Sequence, residues 1–239
     1  MKQLFYVITF LLIAQSADAQ LFNKEKISND ATGGKGQLDN KFLSWGYFLG
    51  FNSYDFNFDY KDDFGNETDV LVTPKGGFNV GLIGDLRVNE FVNLRLEPGL
   101  YYTQRELEYR EFAEDKDRFR DVQSTYIHVP LLVKLSTRRL NNFKPFVVGG
   151  ISSSFNLSSN QDNPEDNEQG QFRTKKYTSY YELGFGIDLY LYYFKFTPSI
   201  RGVFAINNEL VPDDNANSPY TSNINNMGSR GIFVNFTFQ

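Results

Sequence analysis

The sequence predicts an all-β protein, an eight-stranded antiparallel transmembrane barrel. Three observations predict it. Apolar and mixed side chains alternate along several long segments, the links between these segments alternate between short and long, and Phe and Tyr are abundant (24 and 15). Alternation with a period of two is typical of a strand, because successive side chains point to opposite faces. A tilted strand of about 10 residues is long enough to cross the hydrocarbon of a bilayer.

The clearest strand covers residues 126–135. One of its faces is an unbroken apolar wall: Thr125, Ile127, Val129, Leu131, Val133 and Leu135. The other face is mixed, with tyrosine, histidine, proline, leucine and lysine. The same long pattern recurs in seven further segments: 43–52, 77–88, 91–103, 143–155, 182–190, 194–204 and 231–238. An even count of eight suits a barrel whose two ends meet.

The links between the predicted strands carry independent information. The second, fourth and sixth links are short, near residues 89–90, 137–142 and 191–193, whereas the other four are predicted to run to about 20 residues or more. Antiparallel strands place alternate links at the same end, so all the long links gather at one end. This is the pattern of an outer-membrane β-barrel with short periplasmic turns and long external loops.

The first residues predict export. Lys2, the apolar stretch 4–14 and the small residues Ala17 and Ala19 make residues 1–19 a secretory signal peptide. Residues 20–42 are polar and contain several glycines, which predicts a flexible periplasmic leader. Residues 43–239 are the predicted barrel. The predicted location is therefore the outer membrane of a Gram-negative bacterium, with membrane lipid as the first partner.

Composition excludes several classes of function. The chain has no cysteine, which excludes a disulfide scaffold and a thiolate metal site. Its net charge is −5 and it has no stripe of Arg and Lys, so nucleic acid is not an expected partner. No apolar run approaches the 20 residues of a spanning helix, which excludes a bundle of membrane helices.

Charged residues on the mixed faces predict how the lumen is filled. Nine of them, with both signs nearly balanced, form a predicted structural charge network: Asp85, Arg87, Arg95, Glu97, Lys134, Glu182, Asp188, Lys195 and Arg201. The interior of an eight-stranded barrel is just wide enough to be filled by side chains, and buried charges are tolerated when they are paired. We therefore expect a sealed lumen, with an ion or small-solute path as the alternative. Inward glycines at 81, 99, 184 and 186 would leave room for the long side chains.

The residues of catalytic sites are largely missing. His128 is the only histidine, Ser124 and Ser136 lie several residues from it along the same face, and no Gly-x-Ser-x-Gly elbow occurs. His128 is therefore expected to be an ordinary inward polar residue. The acidic runs at 62–63, 114–118, 162–168 and 213–214 are expected to be solvated loops, since their spacing does not match a calcium-binding loop. No catalytic residue, cofactor, metal site or small-molecule substrate is predicted.

Several sequence segments resemble those of a known protein family. Residues 126–134, Tyr-Ile-His-Val-Pro-Leu-Leu-Val-Lys, resemble the strand-four signature of a large family of Bacteroidetes outer-membrane β-barrels, although His128 stands where an acidic residue is frequent. Residues 144–150 and 182–188 are similar to the next two strands of that family. Residues 196–202, Phe-Thr-Pro-Ser-Ile-Arg-Gly, followed by residues 207–210, are similar to the PorT-like barrels associated with the type IX secretion system. The chain departs from many barrels in ending with glutamine after an aromatic residue.

The resemblance implies a non-enzymatic accessory or assembly component of type IX protein secretion. Such a component helps to secrete or mature cargo such as adhesins and proteases, and its partners are other secretion-system subunits. A stand-alone barrel whose external loops bind a ligand or a surface is the alternative, with five aromatic candidate contacts: Phe56, Phe58, Tyr60, Phe64 and Tyr109. A lipid-modifying enzyme that uses His128 is the third hypothesis.

Overall fold

The computed structural model describes residues 41–61, 70–109, 112, 118–161, 172–191, 193–215, 218 and 220–239. The predicted signal peptide, nearly all of the leader, Phe64 and the acidic runs 62–63, 114–117 and 162–168 lie outside the described residues. Nine strands follow in chain order: β1 (Leu43–Tyr60), β2 (Val70–Arg87), β3 (Val92–Leu96), β4 (Gly99–Tyr109), β5 (Phe119–Ser136), β6 (Phe143–Asn156), β7 (Tyr177–Tyr190), β8 (Lys195–Ala205) and β9 (Ile224–Phe238).

The strands form a closed antiparallel ring. Apart from β3 and β4, each strand pairs with its neighbours in the chain, and β1 also pairs with β9, in a register that runs from Tyr47 opposite Phe238 to Tyr60 opposite Ile224. Strands β3 and β4 are two parts of one crossing, interrupted at Glu97 and Pro98, and both pair with β2 and with β5. The ring therefore has eight crossings, which confirms the predicted fold class. Among the described residues, no helix is long and apolar enough to cross a membrane.

Burial along the strands separates an apolar outer wall from a polar lumen. On β5 the outward residues are 40–49% exposed: Ile127, Val129, Leu131, Val133 and Leu135. The alternate residues Tyr126, His128, Leu132 and Lys134 are at most 2% exposed. The same contrast recurs on the other strands, where Leu82, Phe185 and Ile232 are among the apolar side chains that point outward. So much exposed apolar surface is the expected outer face of a barrel in lipid.

Six strands, β1, β2, β4, β5, β7 and β9, continue five or more residues beyond their predicted limits at one end of the barrel. We call this the outer end, and the end with the short turns the periplasmic end. Strands β1, β2 and β5 each have 18 residues, so the first and third links are 61–69 and 110–118. The prediction of about 20 residues for these two links was wrong. Some of the extra strand residues form polar contacts: Lys75 of β2 contacts Glu106 of β4 at 2.9 Å and Asp121 of β5 at 2.6 Å.

The barrel wall is not continuously paired at the outer end. Strands β1 and β2 pair only as far as Ser53 and Gly76, above which β1 pairs with β9 and β2 with β4. Strands β5 and β6 pair only as far as Tyr126 and Asn156, although β5 continues to Phe119. The described part of the wall therefore separates at two places, both toward the outer end.

Three apolar clusters lie along the lumen. The outer cluster is the largest: Phe56, Val70, Leu107, Tyr109, Val122, Phe172, Leu210, Tyr220, Ile224 and Met227. The central cluster is mainly aromatic: Phe48, Tyr54, Tyr101, Tyr126, Tyr180, Val203 and Phe233. The periplasmic cluster is small: Leu132, Phe146 and Val148. Charged side chains fill the space between these clusters.

Candidate functional site

A chain of ion pairs crosses the lumen between the central and periplasmic clusters. Arg95 Nε lies 2.8 Å from Asp85 Oδ2, and Arg95 Nη1 lies 3.5 Å from Glu97 Oε1. The second carboxylate oxygen of Glu97 accepts a hydrogen bond of 2.7 Å from Arg201 Nη1. Arg201 Nε is also 3.2 Å from Glu182 Oε2, without the geometry of a hydrogen bond. These five residues come from four different crossings, and each is at most 4% exposed.

His128 continues this chain of contacts. Its Nε2 lies 2.7 Å from Glu182 Oε1 and its Nδ1 lies 2.6 Å from Ser154 Oγ. A carboxylate only accepts hydrogen bonds, so Nε2 carries a proton. In the neutral ring the Ser154 hydroxyl donates to Nδ1. The rings of Tyr101 and Phe233 pack against the imidazole, with centroids 4.8 and 5.8 Å away.

The contact of serine, histidine and carboxylate differs from a catalytic triad. In a triad the nucleophile contacts Nε2 and the acid contacts Nδ1, whereas here the two ring nitrogens have exchanged partners. Ser154 is 2% exposed and His128 is fully buried, so a substrate has no path to the hydroxyl. The sequence analysis considered only Ser124 and Ser136 and missed Ser154. Pairing β5 with β6, which sets His128 opposite Ser154, is the signal that could have found it.

A second group of ion pairs lies at the periplasmic end. Lys134 forms a buried ion pair with Asp188, and Thr197 Oγ1 donates to Asp188 Oδ1 at 2.8 Å. The two remaining members of the predicted set lie beside this pair. Lys195 is 8% exposed, and Arg87 is half-buried with its Nε 3.4 Å from the Asn89 carbonyl. The structure thus joins seven of the nine predicted residues in the ion pairs described above, and it places Lys195 and Arg87 at the periplasmic mouth.

Glycines that face the lumen leave room for these side chains, because they have no Cβ. A Cβ on Gly184 would lie 2.6 Å from Arg201 Cγ, and a Cβ on Gly81 would lie 2.6 Å from the ring of Phe48. Both distances are shorter than real Cβ contacts allow. The inward glycines therefore admit an arginine and a phenylalanine into the lumen, in the way that the sequence analysis anticipated.

A third polar group closes the outer end of the lumen and was not foreseen. Arg105 is fully buried, donates hydrogen bonds of 3.1 Å to Ser229 Oγ and to the Tyr126 hydroxyl, and lies with its guanidinium 3.7 Å over the ring of Phe56. Glu209, from the link between β8 and β9, accepts hydrogen bonds from the Ser229 backbone N–H at 2.8 Å and from its hydroxyl at 2.9 Å.

Glu209 lies outside the strands that cross the membrane. Burial raises the pKa of its carboxyl above the ordinary value, and the nearby Arg105 and the hydrogen bonds from Ser229 oppose that rise. The sequence analysis missed both Arg105 and Glu209 because it placed their segments in loops. The signal that could have found Arg105 is its place on the same alternation as Tyr101 and Thr103.

The link between β8 and β9 folds over the outer end. Arg173 contacts Asp213 at 3.0 Å, and the hydroxyls of Ser218 and Thr221 donate to the other oxygen of Asp213. Asp213 is 9% exposed, so its prediction as a solvated residue was wrong. A carboxylate with an arginine and two hydroxyl donors has enough partners to be buried.

A polar crevice remains open between β5 and the link that joins β6 and β7. It has a volume of about 250 Å³ and lies where β5 continues beyond its pairing with β6. Its lining is mostly polar: Arg120, Asp121, Val122, Gln123, Ser124, Ser158, Asn160, Phe172 and Thr174. Two of the aromatic residues expected to contact an external ligand, Phe56 and Tyr109, are instead buried in the outer cluster. Within the described residues, no group of three His, Asp or Glu side chains is placed to hold a metal ion.

Comparison with known proteins identifies the family. A family model described as an outer membrane protein beta-barrel domain matches residues 18–211, which is most of the chain. A search of the curated proteins finds no match. Among solved structures, the chain is similar to three outer-membrane proteins at low identity.

OprG from Pseudomonas aeruginosa is 15% identical over 81% of this chain and 94% of that one, with a TM-score of 0.45. The N-terminal β-barrel domain of OprF from P. aeruginosa is 12% identical over 80% and 97%, with a TM-score of 0.34. Ail, the attachment invasion locus protein of Yersinia pestis, solved with the heparin analogue sucrose octasulfate, is 11% identical over 81% and 96%, with a TM-score of 0.37. The family model decides the assignment: the chain belongs to the outer membrane protein beta-barrel domain family, and the protein lies in the outer membrane.

Proposed function

We propose that this barrel is a non-enzymatic accessory or assembly component of type IX protein secretion. The observation that carries the proposal is the filled lumen. Three polar groups and three apolar clusters occupy it along its length, with Arg201, His128 and Arg105 at most 3% exposed. An eight-stranded barrel filled in this way cannot pass a polypeptide. A role in secretion must therefore use the outside of the barrel.

The resemblance of residues 196–202 and 207–210 to PorT-like barrels supplies the link to secretion. In this role the protein binds other secretion-system subunits in the outer membrane or periplasm and helps them to move or mature cargo. The paired charges of the lumen, Asp85 through Arg201, are structural in this proposal. They hold the crossings together rather than conduct ions, because breaking a buried pair leaves a costly unpaired charge.

Deleting the gene and measuring the secreted proteins tests this function. We expect cargo proteins to accumulate in the periplasm, and we expect a plasmid copy to restore their secretion. Normal secretion in the deletion strain would exclude the proposed role.

The outer crevice favours a second candidate, a stand-alone barrel whose external surface binds a ligand. The crevice between β5 and the link after β6 offers hydroxyl and amide groups, such as Ser124, Ser158 and Asn160, in about 250 Å³. A gentle-detergent pull-down from native outer membranes separates the two candidates. Recovery of other secretion subunits supports the accessory role. Recovery of the barrel alone from secreting cells supports the stand-alone role.

An enzymatic role for His128 has its own test. A fluorophosphonate probe labels activated serines, and we expect no labelling of the native protein because Ser154 is only 2% exposed. We also expect a strain with His128→Ala to keep its lipid A unchanged. Labelling that disappears in Ser154→Ala would instead identify an active serine.

A further inference from the structure

The outer part of β5 has a neighbouring strand on one side only. On that side it pairs with β4 as far as Phe119. On the other side its pairing with β6 stops at Tyr126. Contact continues for one more residue, since the Leu157 N–H donates to the Thr125 carbonyl at 2.8 Å and the Thr125 N–H donates to Ser158 Oγ at 3.2 Å. Among the residues that the structure describes, none pairs with this side of β5 beyond Thr125.

The direction of these hydrogen bonds identifies the main-chain groups that are left over. In an antiparallel ladder, successive residues direct their main-chain groups alternately to the two neighbouring strands. Thr125 directs its N–H and its C=O away from β4. The register between β4 and β5 continues without a break from Thr125 to Phe119, so Gln123 and Asp121 direct theirs to the same side. We call the N–H and C=O groups of Gln123 and Asp121 the free edge of β5.

The polar crevice lies against this free edge. Residues 120–124 of β5 all line it, and its opposite wall consists of Ser158, Asn160, Phe172 and Thr174. Because successive side chains of a strand point to opposite faces, a space that is lined by consecutive residues lies beside the edge of the strand. The volume of about 250 Å³ is many times the space that one water molecule needs. It suits a short extended segment of polypeptide and is too small for a folded domain.

The charges beside the free edge indicate which side chain such a segment would carry. The Arg120 guanidinium lies 4.0 Å over the ring of Tyr220. Asp121 shares the ammonium group of Lys75 with Glu106, at 2.6 and 2.9 Å. One ammonium group between two carboxylates leaves a net negative charge next to the edge. A cationic side chain opposite Asp121 on an added strand would complement that charge.

The geometry of the membrane argues against a second copy of this chain as the occupant. Two copies in one membrane have the same orientation, so a two-fold axis along the membrane normal would relate them. Their β5 strands, each tilted by about 40°, would then cross at about 80°. Neighbouring strands of a sheet are rotated by only about 20–25°. The free edge therefore fits a strand from a different polypeptide.

We propose that the free edge of β5 binds an extended segment of another protein as an added strand. The segment forms main-chain hydrogen bonds with Gln123 and Asp121 and places a cationic side chain opposite Asp121. Main-chain hydrogen bonds supply the affinity in this mode of binding, and the side chains beside the edge supply the specificity. The proposal goes beyond the role in secretion and does not rest on it.

The test uses the full-length protein in nanodiscs and a fluorescein-labelled peptide, Thr-Val-Thr-Lys-Thr-Val-Thr-amide, whose β-branched residues favour an extended chain. Fluorescence anisotropy measures binding, and we expect it to be saturable. Two N-methylated forms of the peptide test the main-chain contacts. One form is methylated on the valines and the lysine, and the other on the threonines. Because only one of these sets directs its N–H groups to β5, we expect one form to lose binding and the other to keep it.

Variants of the barrel show whether the site is the one proposed. Gln123→Pro removes an N–H group from the free edge, and we expect it to weaken binding at least tenfold. Gln123→Ala is the matched control, because it removes the side chain and keeps the N–H group, and it should bind as the wild type does. Asp121→Asn should weaken binding of the lysine peptide at least threefold. It should not change binding of a peptide with glutamine in place of the lysine.

Folding of each variant is checked by the heat-dependent shift of its mobility on a gel. Proline is tolerated at a strand edge whose N–H has no ladder partner, so we expect Gln123→Pro to fold. Absence of saturable binding by the wild type would overturn the proposal, and so would wild-type affinity in a folded Gln123→Pro. If that variant fails to fold, equal affinities of the two N-methylated peptides have the same meaning. Binding of maltoheptaose without binding of the peptide would assign the crevice to a saccharide instead.

Discussion

Arg201 and Glu97 contact each other across the lumen at 2.7 Å, although 104 residues separate them in the chain. Arg201 lies on β8 and Glu97 lies at the interruption between β3 and β4. The contact therefore joins two walls of the barrel that share no backbone hydrogen bonds. It is shielded from water on all sides, since both residues are at most 4% exposed.

Replacing Arg201 with methionine should destabilise the barrel by about 3–5 kcal/mol, because Glu97 and Glu182 would both lose their contact with the Arg201 guanidinium in a buried site. Urea unfolding in detergent, followed by tryptophan fluorescence, measures the change. Arg230→Met is the control: Arg230 contacts Asp55 at 2.6 Å but is more than half exposed, so its loss should cost less than about 1 kcal/mol. Equal stability of the two variants would contradict a structural role for the lumen charges.

The buried carboxyl of Glu209 should make stability depend on pH. Because burial raises its pKa, the folded state binds this proton more tightly than the unfolded chain does. Its contribution to stability is then complete below the ordinary carboxyl range and is lost as the pH rises through the raised pKa. We expect the wild type to lose stability relative to Glu209→Gln over that window. Parallel pH profiles of unfolding for the two proteins would show that Glu209 titrates normally.

A methyl group on Gly81 should disturb packing in the lumen. The added Cβ would meet the ring of Phe48 and the carbonyl of Pro98, and crowding of this kind costs about 1–3 kcal/mol. Gly76, on the same strand, has no heavy atom within 4 Å of an added Cβ. We therefore expect Gly81→Ala to lower the unfolding midpoint and Gly76→Ala to leave it nearly unchanged. An unchanged unfolding midpoint for Gly81→Ala would mean that the Phe48 ring moves aside without a cost in stability.

The orientation of the barrel can be read from single cysteines, since the chain has none of its own. Asn160 is exposed at the outer end, and Glu90 is exposed in the turn between β2 and β3. A membrane-impermeant maleimide added to intact cells should label Asn160→Cys and not Glu90→Cys. Permeabilised cells should label both. The reverse result would place the long links in the periplasm.

The sequence predicted the crossings well because lipid imposes a strict rule on them. Every second residue, such as Ile127, Val129 and Leu131, must be apolar where the wall meets hydrocarbon. Outside the hydrocarbon an apolar residue at every second position is not required, and polar pairs such as Lys75 and Glu106 link neighbouring strands there. The first and third links were therefore predicted too long, and Arg105 was missed with them.

The candidate sites were predicted less completely. Alternation along each strand predicted which charged residues face the lumen. It does not predict which of them contact each other. Contacts such as His128 with Ser154 depend on the register between two strands, which in turn depends on hydrogen bonding along the whole wall. Lys195 and Lys144 share one mouth only because their strands start at the same end of the ring.

The extra length of the strands changes what an approaching molecule meets. Strand β5 has 18 residues, about 60 Å of extended chain at roughly 3.3 Å per residue. Tilted by about 40°, it rises about 45 Å, whereas the apolar band of such barrels is about 25 Å tall. Much of the excess stands above the lipid, at the height of the saccharides that cover a Gram-negative cell. A phage, an antibody or a neighbouring cell would therefore meet strand backbone above the lipid as well as the links that join the strands.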